Sequence, residues 1–202
     1  MRKSALLLTV GCCLLFGSVA QAQQFDAMFG FGTLMSSTSS SASLTAPQSE
    51  KGGFYPSFSA DVIMKHRIGF NGEVSWRASQ GIYPGNGVVG FQDQPYRPIL
   101  FDFNAMYQPR LGKKVGADLM AGIGWQNTRF YLPFCTNGFT CNPFVSSHHF
   151  LVHIGGGIRY NVWGHFFIRP EIHYYKINNN DDFNSGNVFR AGASIGYTIG
   201  PE

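Results

Sequence analysis

The chain has 202 residues with a formal net charge of +4, 13% charged residues and 15% aromatics. That length suits one domain with a sizeable core. No basic cluster or basic helix accompanies the positive charge, so nothing points to a nucleic-acid partner.

Residues 1–22 read as a cleaved signal peptide. Arg2 and Lys3 give a basic start, "ALLLTVGCCLLFGSVA" is apolar but too short to anchor in a bilayer, and Ala20-Gln21-Ala22 is a small-x-small cleavage site. A lipoprotein signal at Cys12 is a poorer match, because Thr9-Val10-Gly11 precedes it. The mature domain is then 23–202. Of 15 Lys and Arg, 13 remain in it against 11 Asp and Glu.

Beyond that segment no sustained 3.6-residue apolar pattern occurs, whereas period-two alternation recurs in successive segments. The first, 25–34, sets Phe25, Ala27, Phe29 and Phe31 against Asp26 and two glycines. In 54–65, Phe58, Ala60, Val62 and Met64 oppose Ser57, Ser59, Asp61 and Lys65. In 69–79, Phe70, Val74 and Trp76 oppose Asn71, Glu73, Ser75 and Arg77. The segment 97–108 sets Ile99, Phe101, Phe103, Ala105 and Tyr107 against Asp102, Asn104 and Gln108. In 115–126, Leu119, Ala121, Ile123 and Trp125 oppose Asp118 and Gln126. In 149–160, Phe150, Val152, Ile154 and Ile158 oppose His153, two glycines and Arg159. In 166–176, Phe166, Ile168, Ile172 and Tyr174 oppose Arg169, Glu171, His173 and Tyr175, and Pro170 predicts a bulge or a local start. The last, 188–199, sets Phe189, Ala191, Ala193, Ile195 and Tyr197 against Arg190, Ser194 and Thr198.

The connections alternate in length. Residues 35–53, 80–96, 127–148 and 177–187 are long, whereas 66–69, 109–114 and 161–165 are short. Segments of about ten to twelve residues, with every long loop at one end, fit strands that cross an outer membrane at a tilt. An even number of them lets the sheet close without an edge. The predicted fold is therefore all-β, an eight-stranded antiparallel up-and-down transmembrane β-barrel with its apolar row facing lipid. Tyr107, Tyr160, Phe166 and Phe70 would mark the periplasmic interface, and Trp76, Trp125, Tyr174 and Phe150 the outer one. A soluble lipocalin-type calyx shares the alternation with the faces reversed, but the loop rhythm and the glycines on the polar face oppose it.

With its closing run "FFIRPEIHYY…NVFRAGASIGYTIG", the chain resembles the small eight-stranded outer-membrane barrel proteins of Gram-negative bacteria, of OmpA-like or OmpX-like type. The resemblance covers nearly all of the mature chain. It implies residence in the outer membrane among lipid and lipopolysaccharide, and insertion by the outer-membrane assembly machinery, which reads an alternating last strand. No cofactor is implied.

Eight strands enclose an interior just wide enough to be filled by side chains. The inward row supplies five acids, Asp61, Glu73, Asp102, Asp118 and Glu171, and five bases, Lys65, Arg77, Arg159, Arg169 and Arg190, which predicts a mutually neutralised plug. A gate in a narrow pore or solute path is the alternative. His153 and His173 would face each other across a hairpin centred on Trp163. They form a possible metal or proton-sensing pair, although two ligands do not make a metal site. The run "EIHYYKINNN" around His173 faintly resembles the lipid A deacylase pattern of a His followed two residues later by Ser and then Asn, but Tyr175 stands where the serine should be and cannot replace it. No catalytic residue is assigned.

Outside the barrel, Cys135 and Cys141 bracket "FCTNGFTC" and are expected to form a loop disulfide in an oxidising compartment. Phe130, Tyr131, Phe134, Phe139 and Phe144 surround it, and residues 36–44 are a polar serine-rich tract. These external loops are the expected interaction surface, with an extracellular partner as the candidate ligand.

Overall fold

The structure, a computed structural model, describes residues 24–36, 50–83, 93–131, 144–180, 182–183 and 185–200. Residues 1–22, most of the serine-rich tract and both Cys135 and Cys141 lie outside them. The strands are β1 (Gln24–Ser36), β2 (Tyr55–Ile63), β3 (Ile68–Trp76), β4 (Gly81–Tyr83), β5 (Gln94–Tyr107), β6 (Val115–Tyr131), β7 (Phe144–Trp163), β8 (Phe166–Ile177) and β9 (Asn187–Ile199). All pairings are antiparallel. β1 bonds to both β2 and β9, and β5 bonds to β3 and β6, so the ring closes. β3 and the three-residue β4 lie along the same edge of β5 and act as one interrupted stave. The result is an eight-stranded closed barrel, and closure leaves no unpaired edge to be desolvated.

The two faces are inverted relative to a soluble sheet. Along β8, Phe166, Ile168, Pro170 and Ile172 point outward while Phe167, Arg169, Glu171 and His173 are buried. Ile172 is 62% exposed and Arg169 is 0% exposed. A calyx would bury the first and expose the second, so the alternation belongs to a barrel with an apolar outside.

Four details differ from the sequence reading. Lys65 is not in the lumen, because β2 stops at Ile63 and residues 65–67 form a tight turn with Lys65 exposed. His66 and Arg67 there take left-handed backbone (φ 65° and 64°), which reverses the chain without glycine. β3 ends at Trp76, so Arg77 leaves the wall at the rim. β6 and β7 run well past the predicted bounds, to Tyr131 and from Phe144, and stay paired there, β7 extending beyond the end of its ladder with β8 at Leu151. Pro170 causes no bulge: it pairs with Ala193 in an unbroken β8–β9 register. The ladder to β7 lapses beside it, between the Gly157↔Glu171 and Tyr160↔Ile168 pairs, and the register shift falls between Asn161 and Trp163.

Candidate functional site

The inward row of each strand builds the lumen, in layers. Nearest the termini, Gln24 donates to both oxygens of Asp26 at 3.0 and 2.9 Å. Arg159 contacts Asp26 and donates to the Thr198 hydroxyl, with its guanidinium 3.6 Å over the Phe167 ring. A polar pocket of about 230 Å³ opens at this end, with Gln24, Arg67, Gln108 and Arg159 in its wall.

Above it, Arg169 is the hub. Its Nη1 lies 3.1 Å from both Asp61 on β2 and Asp118 on β6, and its Nε donates to Glu171 at 2.9 Å. Arg190 on β9 then bridges Glu73 on β3, which it contacts through Nη1, and Glu171, 3.3 Å from Nη2. Fixed donors thus hold each of these carboxylates, the condition under which buried charge persists.

His153 and His173 are brought together, but not by facing one another. The β7–β8 turn sits at Gly164–His165 rather than on Trp163, so His153 opposes Tyr175 and His173 opposes Gly155. The rings still meet diagonally, His153 Nε2 lying 3.0 Å from His173 Nδ1 with centroids 5.1 Å apart. Gly155 makes this possible: a Cβ there would stand 2.8 Å from His153 Nε2 and 2.9 Å from His173 Nδ1.

Over the histidines the interior turns apolar. Leu34, Tyr55, Leu100, Leu151, Tyr175, Ile177 and Val188 form one cluster, each at most 2% exposed. At the rim Arg77 donates to the Tyr96 hydroxyl at 3.0 Å, and Phe183 stacks near the Tyr96 ring. Asp61, Glu73, Asp102, Asp118, Glu171, Arg159, Arg169, Arg190 and both histidines are buried inside, Arg77 caps the rim, and Lys65 is outside. The sequence reading left Asp26 out of the charge count although it already lay on the polar face. It also missed Glu50, whose loop position carries no periodicity to reveal it.

Glu50 lies beyond the strands yet is fully buried, accepting from Gln126 Nε2 at 2.7 Å. Burial pushes its carboxyl up to about 7, with the Gln126 hydrogen bond and the Arg77 charge pulling partly back. The attached loop holds the proton longer than the released loop does. Attachment is therefore strongest below about pH 4.5 and weakens as the pH rises through 7. Amide exchange at residues 50–54, corrected for intrinsic rates, is expected to be faster at pH 8 than at pH 5, and Glu50→Gln to abolish the difference.

The model of the outer membrane protein beta-barrel domain family matches residues 8–196. The chain belongs to this family. Among curated proteins none matches the sequence. Solved structures with the same fold include a major outer membrane protein from Thermus thermophilus, 12% identical with 87% of this chain and 99% of that one covered, TM-score 0.58. Neisserial surface protein A is 12% identical over 86% and 95%, TM-score 0.57. Ail, the attachment invasion locus protein of Yersinia pestis, in complex with the heparin analogue sucrose octasulfate, is 13% identical over 87% and 98%, TM-score 0.56. At such identities the likeness is one of fold. The protein is thus an outer-membrane β-barrel.

Proposed function

We propose that this barrel does not conduct and works through its external rim and loops, without an enzymatic step. The carrying observation is the apolar cluster across the outer half of the lumen, from Leu34 and Leu100 to Tyr175 and Val188. The layer is filled by side chains, and the few polar groups within it, such as Ser75 and Gln126 on either side of Leu100, are too sparse to replace an ion's hydration shell. Below it the arginine–carboxylate network fills the remaining width, as expected for eight strands. The enzyme reading loses support on the same ground: His173 and Tyr175 are both fully buried inside the wall, away from lipid.

The surface reading gains from the β6–β7 hairpin. At its outermost described end it exposes Phe144 and Val145, with the Arg129 guanidinium 4.9 Å from the centre of the Phe144 ring. Ail, similar in fold, was crystallised in complex with a heparin analogue, which makes an extracellular partner the natural candidate here too. Cys135 and Cys141 would cross-link the same loop, and removal of residues 1–22 would leave Gln23 as the mature N-terminus.

In planar bilayers the purified barrel should give no steady conductance. Reproducible steps abolished by Arg190→Ala would replace this reading with a narrow pore. Acyl chains released from lipopolysaccharide and lost in His173→Ala would reinstate the enzyme.

A further inference from the structure

The lumen is short of positive charge. Among the described residues six carboxylates are buried along the strands, those of Asp26, Asp61, Glu73, Asp102, Asp118 and Glu171, against only three guanidiniums, those of Arg159, Arg169 and Arg190. An excess of buried carboxylates in a lipid-clad interior has to be met by bound protons or by another cation.

The hydrogen-bond chain indicates where. Asn71 Nδ2 donates to Asp61 at 2.6 Å, and Asn104 Nδ2 lies 2.8 Å from Asn71 Oδ1 and 2.5 Å from Asp102 Oδ1. Ionised, Asp61 and Asp102 only accept, which orients both amides and leaves Asn104 Oδ1 to accept as well. Its donor is His153 Nδ1, 2.6 Å away. His153 Nε2 is then the lone-pair nitrogen and accepts from His173 Nδ1 at 3.0 Å. His173 Nε2 then points at Glu171 Oε1, 3.5 Å away, and the pair is satisfied only by a cation between them, a proton on the ring or a metal ion.

This contact lies at the floor of the apolar layer, and Glu73 closes on it from the opposite wall. Neither His173 Nε2 nor Glu73 Oε2 has a hydrogen-bond partner among the described residues, and both side chains are at most 1% exposed. One ligand atom from each of Glu73, Glu171 and His173 lies within 4.8 Å of the others.

We propose that Glu73, Glu171 and His173 hold one divalent transition-metal ion inside the barrel. One imidazole nitrogen and two carboxylate oxygens form a mixed set suited to zinc or manganese, and a water completes the shell. The surroundings supply the outer shell such ions use. His153 fixes the ring orientation of His173, and Arg190, in contact with both carboxylates, orients them. A dication also offsets most of the charge deficit. The site lies beneath the apolar layer, so the ion is taken up as β3 and β8 close around it and exchanges slowly afterwards.

The full mature chain, refolded in detergent micelles with zinc and dialysed against EDTA, is expected to keep one zinc ion per chain while folded and to lose it on unfolding. Retention below a tenth of an equivalent overturns the proposal and leaves a proton in the ion's place. His173→Gln and Glu73→Gln, shown to fold by heat-modifiable migration on gels, are each expected to lower retention at least tenfold. His149→Ala should not, since His149 pairs with Asp182 at the outer rim. Loss with His149→Ala, or full retention in both lumen variants, overturns the placement. Where a lumen variant does not fold, cobalt in the wild-type chain decides: paramagnetic shifts of the His153 and His173 ring resonances support the site, and unshifted rings sink it.

Discussion

Arg169→Met is expected to remove about 3–5 kcal/mol of stability from the inserted barrel, the scale measured when one member of a buried ion pair is deleted. The side chain is 0% exposed and engages three carboxylates, from β2, β6 and β8, within 3.1 Å. Methionine fills a similar volume, so the loss comes from stranded charge and not from a cavity. Asp61 and Asp118 would be left without a guanidinium in a lumen already rich in carboxylates. Urea unfolding in micelles, followed by the heat-modifiable gel shift, measures the cost. The same substitution in an Asp61→Asn, Asp118→Asn background should cost markedly less, because the charges that needed Arg169 are gone. Equal costs in the two backgrounds would falsify the hub role and reduce Arg169 to a space-filler. Arg169→Lys should recover only part of the stability, since an ammonium cannot present the planar fork that reaches three acceptors.

The wall of the barrel was legible because lipid enforces one rule on every strand. Ile172 out and Arg169 in is a period-two fact, and period two survives in the sequence whatever the pairing. Register did not survive in the same way. Sliding β7 against β8 by two residues leaves every side chain on its own face, so alternation alone could not tell His153 opposite His173 from His153 opposite Tyr175. The turn decides that, and it sits at Gly164, with φ +53°. Lys65 kept the right parity by chance while the chain had already turned, and no glycine announced the left-handed His66 and Arg67.

The charge balance failed for a related reason. Ten inward residues looked neutral as a set, but Lys65 lies outside, Arg77 caps the rim and Asp26 belongs inside, which turns balance into an acidic excess. Contacts across the lumen were the least visible of all. Glu73 reaches Arg190, and Arg169 reaches Asp61, between strands that share no ladder, and neither alternation nor loop length encodes such a meeting. The apolar outer layer was hidden too, because Leu34, Leu100 and Leu151 interrupt the polar row and read there as imperfections in the pattern.

Ile154→Arg should cost about 2–4 kcal/mol of insertion stability, the range for a basic side chain on the lipid face near the midplane. Ile154 is 58% exposed on the outer wall, on β7 between Phe150 toward the external rim and Tyr160 toward the periplasmic one. Its neighbours across the ladders are Ala121 and Tyr174, so an arginine there finds no carboxylate to pair with. Val162, equally outward at 50% exposed, lies at the periplasmic end of the same strand. An arginine there can extend to headgroups and water, so Val162→Arg should cost only about 0–1 kcal/mol. The difference between the two is the informative quantity, because both replace a β-branched residue by the same side chain on the same strand. Folding into lipid vesicles at graded urea supplies both numbers. In a water-exposed calyx neither position would be penalised for charge, so equal and small costs would contradict the lipid-facing assignment, whereas a cost that falls with distance from the midplane follows from it directly.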